Sequence, residues 1–488
     1  MGSIAMMAVV SLASCSANSD FDNTNTTDLN TKESVQSPVE FGTYLAQSKN
    51  TRAGETATAS ASDASEMTTD ELKKTGFGVI AFYTGTSEYA AGQDSKEPNF
   101  MYNTDVKGTE NGDGWTYSPI KYWPNGGQTG VGENDATPED KAAQYLSFFA
   151  YAPYKKVVST NESTKESSTD SKTGITALSA NSVTGDPTVT YVLGATGAEA
   201  DLLWGTAGTN GVTTSDGAQD GTDFDKKARA KVNANLSKMK VGGKVQFNFK
   251  HALAKFGGTG ATGSDNKNSG LTVVADIDNG TATTGGDFDG TTKITIKSIK
   301  IESVPSDEKD TKESNIPTSG TFNLATGVWT PTGTKGKIDY EINSPKATAT
   351  DGATATTGVT KQVMNEAIAE PTGDNIPWEN IPKGVTTDAQ SVYTETTPLL
   401  IIPDGQPHTF RITIDYIVRT KDEALSKGYT EVEQSFYKDL TLSNVSLNAK
   451  YNLLIHLGLT SVKFDATVSN WNNTTMGDPI SSSSTDPN

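Results

Sequence analysis

Few side chains in this sequence are set up for chemistry. The one with the clearest setting is Cys15, the only cysteine among 488 residues. It closes an apolar run that ends Leu12-Ala13-Ser14, the kind of small-residue stretch a signal peptidase accepts before a cut. Cutting there leaves Cys15 at a new N-terminus, where its thiol can carry a lipid; this is the lipobox pattern of exported bacterial lipoproteins. The run is shorter than the roughly 20 apolar residues a membrane-spanning helix needs, so it predicts a signal peptide (residues 1–15) and not an anchor. The leader holds no Lys or Arg ahead of its apolar core, which departs from an ordinary signal start. With no second cysteine, no intramolecular disulfide can form.

Metal and phosphate chemistry find weaker footholds. Asp276-Ile-Asp278-Asn279-Gly280 begins like a calcium loop, but Gly280 falls where a ligand should stand and Thr281 where the obligatory glycine should. An acidic hairpin turn is the favoured reading of Asp276 and Asp278. Gly258-Thr-Gly260-Ala-Thr-Gly263 matches a dinucleotide fingerprint as a string, yet Ser264 to Ser269 cannot open an apolar-faced helix to hold a pyrophosphate, so it reads as a loop. No cofactor is expected.

Catalysis has no visible constellation. Of the three histidines, His251 sits in an apolar stretch and reads as a hydrogen-bonded core residue, His408 follows the Pro403–Pro407 turn, and His456 reads as a sheet-surface residue. No Gly-x-Ser-x-Gly elbow and no His-Glu-x-x-His helix occurs, and no carboxylate stands in an apolar setting that would raise its pKa. An enzyme is not expected. The best recognition surface is the aromatic group Trp115, Tyr117, Tyr122 and Trp123, whose faces suit a sugar; the plainer reading is that Tyr122 and Trp123 plug the end of a β-sandwich.

The elements that must carry these residues are strands. Forty-six glycines, abundant Thr and Ser, and only 34% hydrophobic residues suit short strands joined by long polar turns. Val39, Phe41 and Leu45, with Val35 before them, alternate at period two and predict a strand between two polar tethers. Phe77–Tyr83 and Tyr145–Ala152 read as buried strands, with a short helix from Thr69 to Gly76 and another helix start at Thr137-Pro138. Ile294, Ile296, Ile299 and Ile301 predict a strand with a bulge near Ser298, and Phe322–Trp329 a hairpin turning at Ala325-Thr-Gly327. Phe410 to Val418 alternate with a face made of Arg411, Thr413, Asp415, Ile417 and Arg419. Tyr451–Val468 shifts phase at Thr460-Ser461, which means one bulged strand or two strands with a corner. The formal charge of −19 repels phosphate backbones and excludes nucleic acid as a partner.

Taken together these strings resemble the fimbrillin-like pilin subunits of Bacteroidales. The resemblance rests on the lipobox at Cys15, on Thr51-Arg52-Ala53 after a strand-like segment, and on Lys121-Tyr-Trp-Pro124 followed by Leu146–Tyr154. It continues through Asp201-Leu-Leu-Trp204, Val245–Lys255, and Leu457–Phe464 before Trp471. It implies an all-β fold of two transthyretin-like Greek-key β-sandwich domains in tandem, with long polar loops and a few short helices. Their expected extents are 53–245 and 246–488, the latter with a polar tail from 472. It also implies an outer-membrane lipoprotein precursor held by lipid on Cys15, then cut between Arg52 and Ala53. The cut would remove a tether and N-terminal strand (16–52) and open a groove that a strand of another subunit, alike or different, fills on the cell surface. The alternatives from other classes are a tip adhesin or glycan-binding surface lipoprotein that meets a host or bacterial glycan or protein, and an unprocessed pilus anchor.

Overall fold

The computed structural model describes residues 38–45, 69–91, 96–109, 114–124, 144–193, 201–207, 232–237, 244–256, 271–275, 291–304, 316–332, 339–344, 359–392, 399–442, 445–458 and 462–470. In chain order the strands begin β1 (Glu40–Leu45), β2 (Phe77–Gly85), β3 (Met101–Gly108), β4 (Trp115–Thr116), β5 (Tyr145–Ala152) and β6 (Val157–Asn161). They continue β7 (Glu166–Thr169), β8 (Gly174–Ser179), β9 (Thr188–Val192), β10 (Leu203–Ala207), β11 (Asn233–Leu236) and β12 (Lys244–His251). Next come β13 (Ala254–Phe256), β14 (Leu271–Ala275), β15 (Thr292–Ser303), β16 (Ser319–Asn323), β17 (Val328–Pro331), β18 (Asp339–Asn343) and β19 (Val359–Val363). The last are β20 (Gln390–Ser391), β21 (Leu399–Ile401), β22 (His408–Lys421), β23 (Tyr429–Leu442), β24 (Ala449–Leu457) and β25 (Val462–Asn470). The fold is all-β, as expected from composition, and its sheets pack face to face as successive β-sandwiches.

The first sheet runs β1-β12-β10-β5-β2-β3-β4, with β11 also paired to β5. Its central strands are buried on both faces, which is why Phe77–Tyr83 and Tyr145–Ala152 read as continuous apolar runs instead of alternating ones. Phe77, Val79, Ala81, Phe148 and Ala150 point into one core, together with Val39, Phe41, Phe247 and Phe249. Ile80, Phe82, Phe149 and Tyr151 point into the other, against the sheet β17-β16-β9-β8-β7-β6. Before β2, α1 (Thr69–Thr75) carries Asp70 and Glu71 in its first turn and buries Leu72. It stops at Gly76, whose φ of +71° is the left-handed conformation glycine adopts without strain.

The hairpin predicted at Ala325-Thr-Gly327 joins β16 to β17, and β16 pairs with β9, which lies more than a hundred residues earlier in the chain. The expected domain boundary at 245/246 falls within β12, a strand of the first sheet. Trp204 and Trp329 tie these layers together. Trp204 Nε1 donates to the Leu324 carbonyl at 2.8 Å and Trp329 Nε1 to the Ala252 carbonyl at 2.7 Å.

The second sandwich packs β20-β14-β24-β13-β21, with β25 on β24, against β19-β18-β15-β22-β23. Its core is rich in aliphatic side chains: Ile294, Ile296, Ile299 and Ile301 pack in one cluster with Val273, Leu453, Ile455 and Leu457. The register of β15 on β22 shifts between Ile296 and Ser298, which is the predicted bulge. Of the two readings of the phase shift near Thr460, two strands is the one found: β24 and β25 are separate and antiparallel.

Two strands depart from a simple alternation of buried and exposed residues. Ile417 and Arg419 do not lie on an open polar face; each is 3% exposed, because the segment around Glu370 crosses over β15 and hydrogen-bonds to it, Glu370 N donating to the Ile296 carbonyl at 2.8 Å. Arg419 meets Glu370 there through two bonds of 2.7 and 2.8 Å. His456 is half-buried beside buried Leu454, since β24 is covered on both faces.

Candidate functional site: the seat of β1

β1 is the edge strand of the first sheet and its pairing is parallel, Glu40 opposite Lys244 through Leu45 opposite Phe249. The ladder is built from two matched alternations. Val245, Phe247 and Phe249 turn inward from β12, and Val39 and Phe41 turn inward beside them, 1% and 2% exposed. Period two puts both sets on the same face, so the pair shares one core.

Phe41 fills a socket of four rings. Its centroid lies 5.3 Å from Tyr117, 5.9 Å from Phe148, 5.9 Å from Phe247 and 6.1 Å from Phe77. Three of these contacts are edge-to-face, the arrangement the ring quadrupoles favour. On the opposite face of β1 the side-chain amide of Gln246 occupies the space a Cβ at Gly42 would need. Burying a ring and a valine of this size is worth about 1.5–3 kcal/mol each.

A small hydrogen-bond ring closes the N-terminal end of the strand. Val39 N donates to the Lys121 carbonyl at 2.8 Å, and the Tyr117 hydroxyl donates to the Val39 carbonyl at 2.8 Å. Lys121 N donates to the Tyr117 hydroxyl at 3.2 Å, and Pro38 bridges Tyr122. Burial pushes the Tyr117 phenol above its ordinary pKa, partly offset by its backbone bond to Lys121. It therefore stays a donor at neutral pH.

The aromatic group singled out from sequence is thus split. Tyr117 and Trp123 lie inside the core, 7% and 3% exposed, with Trp123 edge-on to Phe148 at 5.8 Å. Trp115 is half-buried against Phe77 at 5.0 Å, and Tyr122 alone is exposed. The part Tyr117 plays in seating β1 was missed at the sequence level. The signal available was its two-residue spacing from Trp115, which puts both rings on one side of an extended chain.

Cys15, Val35, Arg52, Ala53, Asp276 and Asp278 lie outside the described residues, as do the helix start at Thr137 and the glycine string at 258–263; Leu45 is described for its backbone only. His251 is buried, as expected of a core histidine, with Nδ1 paired to the Asp201 carboxylate, and His408 Nε2 meets Asp404 Oδ1 at 2.7 Å. Among the described residues no group of three or more His, Cys, Asp or Glu is placed to hold a metal, and no helix is long and apolar enough to cross a membrane.

Over 127 residues, 26% of this chain, the sequence is 34% identical to the fimbrium subunit Fim1C of Phocaeicola vulgatus, and the match spans about a quarter of that relative's length. A fimbrial protein from Bacteroides vulgatus aligns over 89% of this chain and 99% of its own at 16% identity, with a TM-score of 0.49. A candidate cell adhesion protein from Bacteroides uniformis aligns over 90% and 100% at 12% identity, with a TM-score of 0.35. No family model matches the chain. The resemblance to Bacteroidales fimbrial subunits, first carried by the motifs, holds in the comparison with Fim1C.

Proposed function

We propose that this chain is a structural fimbrial subunit, exported as an outer-membrane lipoprotein through lipid on Cys15 and made ready for polymerisation by a cut between Arg52 and Ala53. The observation that carries the proposal is the seat of β1: a six-residue parallel strand at a sheet edge, plugged into the core by Phe41. While the strand is part of the chain, its effective concentration at the groove is in the millimolar range typical of a short tether. A cut at residue 52 abolishes that advantage, and a few kilocalories of burial no longer hold a dilute peptide in place. The vacated edge of β12 then offers unpaired backbone groups and an apolar socket, which a strand of another subunit satisfies by β-augmentation. The similarity to Fim1C supports this reading, and so does the order Cys15, strand, Arg52 along the sequence.

The test is the N-terminus and intact mass of the protein recovered from its native cell surface. Molecules that begin at Ala53 are expected in the fimbrial fraction. A lipidated Cys15 start on every molecule would sink the polymerising role and leave an anchor.

A further inference from the structure

The groove that β1 occupies has features that select an occupant, and what they select bears on the partner; the inference rests on the strand-replacement reading. The socket around Phe41 is a closed set of aromatic rings, two of them on strands at the middle of the sheet and one on β12 itself. An aliphatic side chain would leave ring faces without contact, and a small one would leave a cavity. One residue on, Gln246 lies over Gly42 so closely that any side chain there must push its amide aside. Two residues before the ring, the Tyr117 hydroxyl donates to a backbone carbonyl and anchors the start of the strand. We infer that the groove accepts a strand running in the direction of β1 that carries a large aromatic residue followed directly by glycine, and discriminates against strands that lack this pair.

The aromatic side chain supplies the affinity, since in the socket a whole side chain of the strand is ringed by aromatic partners on several strands. Glycine supplies the finer discrimination, because a β-branched residue in its place must displace the side-chain amide of half-buried Gln246. A strand shifted by one residue would put the glycine in the socket in one direction, or the ring against Gln246 in the other, so the same two features also count against wrong registers.

The probe is a fluorescent peptide with the sequence of Ser37–Ser48, titrated into the full chain and into the full chain carrying a single inserted protease site after Arg52, cut and washed. The cut chain is expected to bind the peptide and the intact chain, whose groove is filled, to exclude it. A Phe41→Ala peptide should bind at least roughly tenfold more weakly, as expected for loss of a buried ring. A Gly42→Val peptide should also lose affinity, and a Gln246→Ala substitution in the chain should restore much of it. If both variant peptides bind the cut chain as tightly as the parent, the selectivity is overturned while strand replacement stands. If residues 1–52 stay bound after the cut and no peptide enters, strand replacement fails and the inference with it.

Discussion

Tyr117 holds Val39 by its backbone: the phenolic O–H of a residue 78 positions later donates to the Val39 carbonyl at 2.8 Å. The bond locks the start of β1 to the strip of chain that ends at Trp123, across the sheet from β12. It also gives this strand a chemical handle that can be titrated.

Burial raises the Tyr117 pKa above that of a solvent-exposed phenol, so the folded state binds the phenolic proton more tightly than the unfolded chain does. The resulting stability is fully present below pH 10 and is lost as the pH rises through the folded value. Urea unfolding between pH 8 and pH 11 should show falling stability, and Tyr117→Phe, which has no proton to lose, should fall less steeply. An unchanged slope in the variant would show that the phenol does not couple to folding.

Phe41→Ala should loosen β1 while the rest of the sheet stays folded. Loss of a buried phenylalanine costs about 3–5 kcal/mol, and here the cost falls on a strand held at one edge. Hydrogen exchange should therefore quicken at the β12 amides that face β1, with little change at β2 and β5. Uniform loss of protection would mean that β1 is integral to the whole sheet.

Trp123→Ala and Tyr122→Ala should separate core from surface. The buried indole is expected to cost about 3–5 kcal/mol of stability. The exposed phenol should change stability by no more than about 0.5 kcal/mol. Thermal melts of the two variants provide the comparison.

Glu370→Gln should destabilise the second sandwich by about 3–5 kcal/mol, because it strips the buried Arg419 side chain of its main counter-charge. Burial works against the Arg419 charge, but its bonds to Glu370, with Glu431 beside them, more than offset this and hold its pKa above the ordinary value. Replacing both Arg419 and Glu370 by Met should cost far less than the single change. Chemical denaturation of the three proteins would measure the difference.

Arg52→Gln should abolish the Ala53 start in protein recovered from cells and leave residues 16–52 attached. N-terminal mass analysis reads this directly. Continued appearance of an Ala53 terminus would place the protease specificity elsewhere.

Much of the strand content was legible because burial writes itself into period and run length. The β15 bulge is visible in the spacing of Ile296 and Ile299, and β1 in the alternation of Val39 and Phe41. Pairing was not legible. Nothing in Glu40–Leu45 says that its neighbour is Lys244–His251, two hundred residues on, since any two alternating strands offer the same ladder of backbone groups. The buried Arg419 escaped for a related reason: its local pattern is that of a solvent-facing position, and the segment that covers it comes from a distant part of the chain. Tyr117 looks like a recognition residue in the sequence because composition cannot tell an aromatic that meets a ligand from one that meets another strand.

Pairing geometry has a mechanical meaning for β1. Tension applied along a strand lying in a ladder loads its backbone bonds together in shear, whereas tension across the ladder peels them one at a time. Because β1 runs alongside β12 for its full length, and its leading end is also fastened at Lys121, a pull along its axis meets every bond at once. Any strand that took its place in the same direction would inherit that loading, and a row of such joints would be stiffest along the line on which the subunits are strung.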